Sequence, residues 1–348
     1  MSNDDSSSAG KPATSTGAES ERLKSRPQRP EMHQPTKRRT GRKKHKVVRS
    51  RGARLAISIV RIVILGYISI LVALVFMEDR LVYPGAYMDD DFTTTSESPV
   101  KTVTYDSPGK ITLAGRLVER TGSGNVVLFF HGNATKAKWL DRWLMQLSDT
   151  FDATVMAAEY RGFEDDVTPS ERGVLEDCFA ARDFLCQRYS IQPTDIILYG
   201  RSLGGGCAVA LASRGGAKAL ILESTFDRLY KVASDRYPFV PTQLLMRNRF
   251  DSTARLTNYT GPLIQIHGTD DTIIAFDRGR ALFDSSHSKQ RHFIEIEGVD
   301  HNDAMPRRVI TEAAEMLDQW SSDQLPAGEP SAAAEREPGD VADALSTD

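Results

Sequence analysis

Cysteine is scarce. Only Cys178, Cys186 and Cys207 occur in 348 residues, and an odd, irregular set does not build a disulfide framework. Cys178 and Cys186 lie eight positions apart in a stretch of helical periodicity, a separation no bridge within a helix can span. All three read as small buried residues. No compact His/Cys/Asp cluster is present either, so the sequence asks for no metal and no cofactor. Internal repeats are absent, which removes solenoid architectures. Net charge is also small, at −3.

That small total conceals an uneven distribution. Residues 1–55 carry 15 Lys/Arg against 5 Asp/Glu, a net of +10, so the remainder carries −13. An acidic body of this kind is a poor partner for nucleic acid. By itself, the basic run reads as a solvated tail or a nucleic-acid arm; the next segment decides between them. "AISIVRIVILGYISILVALVFM", residues 56–77, holds a single charge, Arg61. As a helix it is about 33 Å long, enough to cross a bilayer, and Arg61 lies near its start, where its side chain reaches the headgroups. Ten Lys/Arg without an acid between Lys37 and Arg54 hold the N-terminus in the cytoplasm by the positive-inside rule. The apolar run is long and continues into "EDRLVYPG", where a removable signal peptide would be shorter and end in a small-residue cleavage site. The expectation is an uncleaved, single-pass signal anchor with the large C-terminal part on the extracytoplasmic side.

Four regions follow from composition: a disordered basic tail over 1–55, the anchor over 56–77, a folded domain over 78–321, and a disordered acidic tail over 322–348 with seven acids and one arginine. The short polar stretches "DDFTT" and "SES" join anchor to domain and keep the latter near the membrane surface. Inside the domain, "VKTVTYD" and "ITLAGRLVE" alternate like an antiparallel pair turned by "SPGK". Apolar strand-like runs follow at "NVVLFF", "ATVMAAEY", "DIILYG", "ALILES", "PLIQIHG" and "HFIEIEG". They are separated by helical stretches, notably at 170–190, 202–214, 277–287 and 307–320, and Ser170 is placed to cap the first. Strands buried on both faces and interleaved with helices form a mostly parallel α/β sheet covered on each side. Ligands bind such sheets beyond the carboxyl ends of the strands.

At one such end stands Gly200-Arg201-Ser202-Leu203-Gly204, a G-x-S-x-G between strand and helix. A sharp turn there exposes a serine oxygen at a helix N-terminus, and Gly200 and Gly204 remove side chains that would crowd it. The Leu203 amide is then placed to hold an oxyanion, and a second amide is available from "LFFHGNATKA", at Asn133 or Ala134. A serine hydroxyl needs a base. Of seven histidines, His33 and His45 fall in the tail, His287 late in a helix and His292 at a strand start, while His131 and His267 end strands as His-Gly. His301 alone lies in the loop after the last strand, which makes it the candidate base. Asp270 and Asp271 follow another strand, and one of them is the candidate acid.

The motifs "DRLVYPG", "FFHGNATK", "EYRGF", "TPSERGVLEDCFAARDFL", "YGRSLGGG", "LESTF", "YPFVP", "RFDS", "IHGTDDTI" and "GVDHND", in that order and spacing over about 78–320, resemble the α/β-hydrolase superfamily. Within it the chain is similar to the single-pass, membrane-anchored serine hydrolases of the abhydrolase-domain type, which are serine aminopeptidase-like or lysophospholipase-like. The resemblance implies Ser202 as nucleophile, His301 as base and Asp271 rather than Asp270 as acid, because the family's acid stands three residues after the glycine at Gly268. It further implies hydrolysis of acyl ester or thioester bonds. One departure is "YRGFEDDVTPSE", where Glu164, Asp165 and Asp166 replace small residues; the replacement is either loop drift or an acidic rim that disfavours anionic substrates. The segment 225–262 leaves room only for a small cap, which on a tethered enzyme favours acyl chains presented by the bilayer. A peptidase on the same residues, acyl transfer to an alcohol, and a non-catalytic scaffold on this fold are the alternatives.

Overall fold

The computed structural model describes residues 50–88 and 98–323. Most of both tails, "DDFTT" and all but the last residue of "SES" lie outside the described residues. The helices are α1 (Arg51–Phe76), α2 (Glu78–Val82), α3 (Asp141–Phe151), α4 (Glu171–Tyr189), α5 (Leu203–Gly215), α6 (Leu229–Arg236), α7 (Thr242–Leu245), α8 (Ser252–Leu256), α9 (Phe276–Asp284) and α10 (Arg307–Asp323). The strands are β1 (Lys101–Ser107), β2 (Ile111–Val118), β3 (Asn125–Phe130), β4 (Ala153–Ala157), β5 (Ile196–Arg201), β6 (Ala219–Glu223), β7 (Leu263–Gly268) and β8 (Arg291–Ile296).

These strands form one sheet in the order β1-β2-β4-β3-β5-β6-β7-β8. The β1–β2 and β2–β4 pairs are antiparallel and all later pairs parallel. Alternation within each strand divides the core into two layers. Val126, Leu128 and Phe130 of β3 pack with Val174 and Leu185 of α4 and with Ala208 and Leu211 of α5. Val127 and Phe129 face the other way, with Leu144, Leu147 and Phe151 of α3 and with Val309 and Ile310 of α10. Each of these Val, Leu, Ile and Phe side chains contributes roughly 1.5–3 kcal/mol by burial, so truncation of a fully buried one such as Leu128 costs about 3 kcal/mol. At the start of α4, Ser170 Oγ accepts from the Gly173 amide at 3.3 Å, closing an N-cap. The three thiols are unpaired. Outside the helical stretches named from periodicity lie α3, which buries Leu144, Leu147, Ser148 and Phe151 at helical spacing, and the short helices α2, α6, α7 and α8.

Between β6 and β7 the chain builds a cap of only three short helices, α6, α7 and α8. Before the sheet, α1 runs 26 residues, is apolar enough to cross a membrane by length and composition, and buries none of its residues. The apolar run thus lies, but for Met77, in one continuous helix that begins five residues before Ala56. The stretch after it is bonded to the segment between α7 and α8. Glu78 is buried and accepts from the Arg247 and Asn248 amides, both at 2.8 Å. Tyr83 is fully buried and donates its hydroxyl to Asn248 Oδ1 at 2.9 Å.

Candidate active site

The turn from β5 into α5 consists of one residue. Ser202 adopts φ 53° and ψ −119°, a region that costs a non-glycine residue on the order of 1–3 kcal/mol. The surroundings hold it there. Its amide donates to Glu223 O at 2.9 Å, and its carbonyl accepts from Thr225 Oγ1 at 2.7 Å. Gly204 is forced by close approach, because a Cβ there would stand 2.0 Å from Phe130 O; at Gly200 it would stand 2.2 Å from Gly204 O. Helix α5 can therefore press against β3 and β5 only with glycine at both positions.

His301 lies in the loop between β8 and α10. Its Nε2 is 3.2 Å from Ser202 Oγ, and its Nδ1 is 2.7 Å from Asp271 Oδ2. Asp271 follows β7, is buried, and uses Oδ1 to accept from the amides of Ile273 at 3.0 Å and Ile274 at 2.7 Å. Burial works to raise its pKa, but hydrogen bonds from His267 and His301 outweigh it and hold the carboxyl well below the usual carboxylate range. An ionised carboxylate only accepts, so His301 carries its proton on Nδ1 and turns the Nε2 lone pair toward the serine hydroxyl. Asp270 is exposed, and its carboxylate accepts from Thr269 Oγ1 instead.

Several supporting residues escaped the sequence. His267 is completely buried, with Nε2 2.9 Å from Ile274 O and 3.3 Å from Asp271 Oδ2, so a second imidazole orients the same carboxylate. Arg201, the variable residue of the serine turn, donates from Nη2 to His301 O at 2.9 Å and pairs through Nε with Glu223 Oε1 at 3.1 Å. Glu223 in turn accepts from the Tyr199 hydroxyl at 2.7 Å. Asp300 Oδ1 accepts from the Thr272 amide at 2.7 Å, joining the histidine loop to the acid loop. Only the elbow itself has a spacing signature; the rest are tertiary.

Opposite the serine, Gly132 is so close that a Cβ on it would sit 3.5 Å from Ser202 Cβ. The next residue, Asn133, is fixed by its side chain, which donates to Val82 O at 2.9 Å, and by its carbonyl, which accepts from the Gly85 amide at 2.8 Å. Among the described residues neither the Asn133 nor the Leu203 amide donates to a protein acceptor. His131 is buried against Glu159 at 3.1 Å, and Glu159 also accepts from the Ala137 amide. This histidine is tied into the loop. Of the three acids after Tyr160-Arg161, Glu164 pairs with Lys138 at 2.9 Å and Asp165 accepts from the Gly162 and Val167 amides, which is loop construction. Among the described residues no group of three or more His, Cys, Asp and Glu is arranged to hold a metal ion.

A strained serine at a strand–helix elbow, beyond the carboxyl ends of a mostly parallel sheet, defines a class, and comparison with known proteins agrees. Residues 125–271 match the family described by the α/β-hydrolase fold. Alpha/beta hydrolase domain-containing protein 17C of Xenopus tropicalis is 32% identical over 206 residues, which cover 59% of this chain and 64% of that one. Protein 17B of that series from Homo sapiens is 30% identical over 200 residues, 57% of this chain and 67% of its own length. An esterase of Pyrococcus furiosus shares the fold at a TM-score of 0.55 and 16% identity, over 67% of this chain and 96% of its own. The chain belongs to the α/β-hydrolase family. It spans about 64% of the length of the first curated relatives it matches.

Proposed function

We propose that this protein is a membrane-anchored serine hydrolase that cleaves carboxylic ester or thioester bonds of acyl, lipid-like substrates. The observation that carries the reading is the hydrogen-bonded chain Ser202–His301–Asp271, with links of 3.2 and 2.7 Å, at a strained elbow. His301 Nε2 takes the proton of Ser202 Oγ as that oxygen attacks the acyl carbonyl. The amides of Leu203 and Asn133 hold the oxyanion. The imidazolium, steadied by Asp271, then protonates the departing alcohol or thiol. Water deprotonated by the same nitrogen opens the acyl-enzyme and releases the acid. Every atom and proton is returned, so the cycle needs no cofactor.

Esterases of the same fold support an ester substrate, and α1, which buries none of its residues, supports the anchor. The basic flank places the N-terminus in the cytoplasm and the hydrolase on the far side. The test is hydrolysis of a panel of acyl esters, thioesters and peptide amides by the full chain in vesicles. The wild type should turn over esters or thioesters, and Ser202→Ala and His301→Ala should lose that activity by at least about 10³-fold. Equal turnover by wild type and Ser202→Ala refutes the reading. Preferential cleavage of the amides transfers it to the peptidase class.

A further inference from the structure

The cap and the apolar helix meet over a cavity. Its volume is about 570 Å³, within the range of small-molecule sites. One wall is α1 itself, through Leu74 and Val75; the other is the cap, through Val232, Ala233 and Leu245. The cavity reaches Asn133, Thr272 and Ile273. Asn133 follows the glycine that stands against Ser202, and Thr272 and Ile273 follow Asp271. An apolar chamber therefore leads from the side of the anchor helix to the candidate oxyanion loop.

Two further observations bear on what fills it. The tip of the cap, residues 237–245, presents Phe239 at 86% and Leu244 at 83% exposure, an apolar pair that a water-facing surface gains nothing by displaying. The tip also lies against α1 far from that helix's end: the Tyr67 hydroxyl donates to Phe239 O at 2.6 Å. Tyr67 is nine residues before Phe76, about 13 Å along the helix. If α1 crosses a bilayer with a hydrocarbon core of about 30 Å, Phe239 stands well inside it. A tyrosine hydroxyl and a free carbonyl at that depth each need a partner, and each supplies the other's.

We propose that the tip of the cap sits in lipid beside α1, and that the cavity between them admits one acyl chain of a bilayer-resident ester and leads its carbonyl to Ser202. The proposal rests on the serine-hydrolase reading for its chemistry and on the cap and α1 for its geometry. The anchor is then part of the substrate site as well as a tether. Long-chain monoacyl esters dissolved in the bilayer are preferred over short, water-soluble ones.

Two measurements on the full chain in phosphatidylcholine vesicles test it. In the first, Phe239→Cys in a Cys186→Ser background carries an environment-sensitive fluorophore, and the lipids carry a nitroxide either on the acyl chain or on the headgroup. Stronger quenching by the acyl-chain nitroxide is expected. Quenching by the headgroup probe alone overturns the insertion, as does no quenching by either, which is the result if a second copy or another protein covers the tip. In the second, Ala233→Trp and Leu245→Trp each fill the cavity, and fluorophosphonate labelling reports that the serine site is still folded. The ratio of kcat/KM for a palmitoyl monoglyceride to that for a nitrophenyl acetate should fall by roughly tenfold or more. An unchanged ratio in both labelled variants overturns the acyl portal. A wild type inert to both esters and to the fluorophosphonate refutes the hydrolase reading instead, and the quenching result still decides the position of the cap.

Discussion

Replacing Asp271 by asparagine changes one hydrogen-bonding atom, and the structure fixes which one. Oδ1 accepts from the Ile273 and Ile274 amides, so the asparagine carbonyl oxygen must take that position. Its NH₂ is then forced into the place of Oδ2, facing His301 Nδ1 at 2.7 Å. A donor there holds His301 in the opposite tautomer, with Nδ1 bare and the proton on Nε2. The nitrogen 3.2 Å from Ser202 Oγ can no longer accept the serine proton. The expected loss in kcat/KM is on the order of 10⁴-fold, about 5 kcal/mol of transition-state stabilisation. Stability should suffer far less. Trading a charged acceptor for a neutral one costs about 1–2 kcal/mol, a fall of roughly 2–6 °C in Tm for a domain of this size. The assay is ester turnover beside thermal unfolding of the same preparation. A loss below tenfold with Tm intact would refute the assignment of Asp271 as the group that sets the tautomer.

The remaining expectations come from neighbouring residues. Gly204→Ala drives a Cβ to 2.0 Å from Phe130 O, so it should abolish soluble folded protein or lower Tm by more than 10 °C, read by calorimetry. Ser202→Gly removes the penalty of φ 53° and should raise unfolding stability by about 1 kcal/mol while eliminating turnover, measured by denaturant titration. Arg201→Met deletes the bond to His301 O without removing a reacting group; kcat should fall about tenfold with KM nearly unchanged. The depressed Asp271 carboxyl contributes stability that is complete above the unfolded aspartate value of about 3.9 and is lost as pH falls below it toward the folded value. The Tm of Asp271→Asn should therefore depend less on pH in that window than that of the wild type, read by circular dichroism.

The sheet could be read from the chain because its central strands are apolar runs, its first two alternate, and its longer helices keep a 3.6-residue period. Ser202 was legible for a local reason: a glycine two residues on either side, between a strand and a helix, has few other uses. His301 could be singled out because the other six histidines fall in tails, a helix or at strand ends. Asp271 could not be separated from Asp270 by its own surroundings in the sequence; the resemblance chose it. The physical reason is the pair of amides at Ile273 and Ile274, which turn one carboxylate inward and leave its neighbour in solvent. Helix α3 keeps the same period in Leu144, Leu147 and Phe151, whereas α6, α7 and α8, of eight, four and five residues, hold too few turns to show one. Contacts between distant residues left no pattern at all. Asn133 with Val82, Arg201 with His301, and Tyr67 with Phe239 are separated by 51, 100 and 172 positions. The stretch "EDRLVYPG", read as the start of the folded domain, shows nothing in the sequence of its support for the loop that carries Asn133 through Val82 and Gly85.

The central claim is that Ser202 is an activated nucleophile, and one measurement addresses it directly. Membranes containing the full chain are treated with a fluorophosphonate, and the protein is digested and mapped by mass spectrometry. A single adduct on Ser202 is expected in the wild type, with labelling slowed at least about 10³-fold in His301→Ala. Folded wild type that acquires no adduct, or acquires it at another residue, would contradict the account.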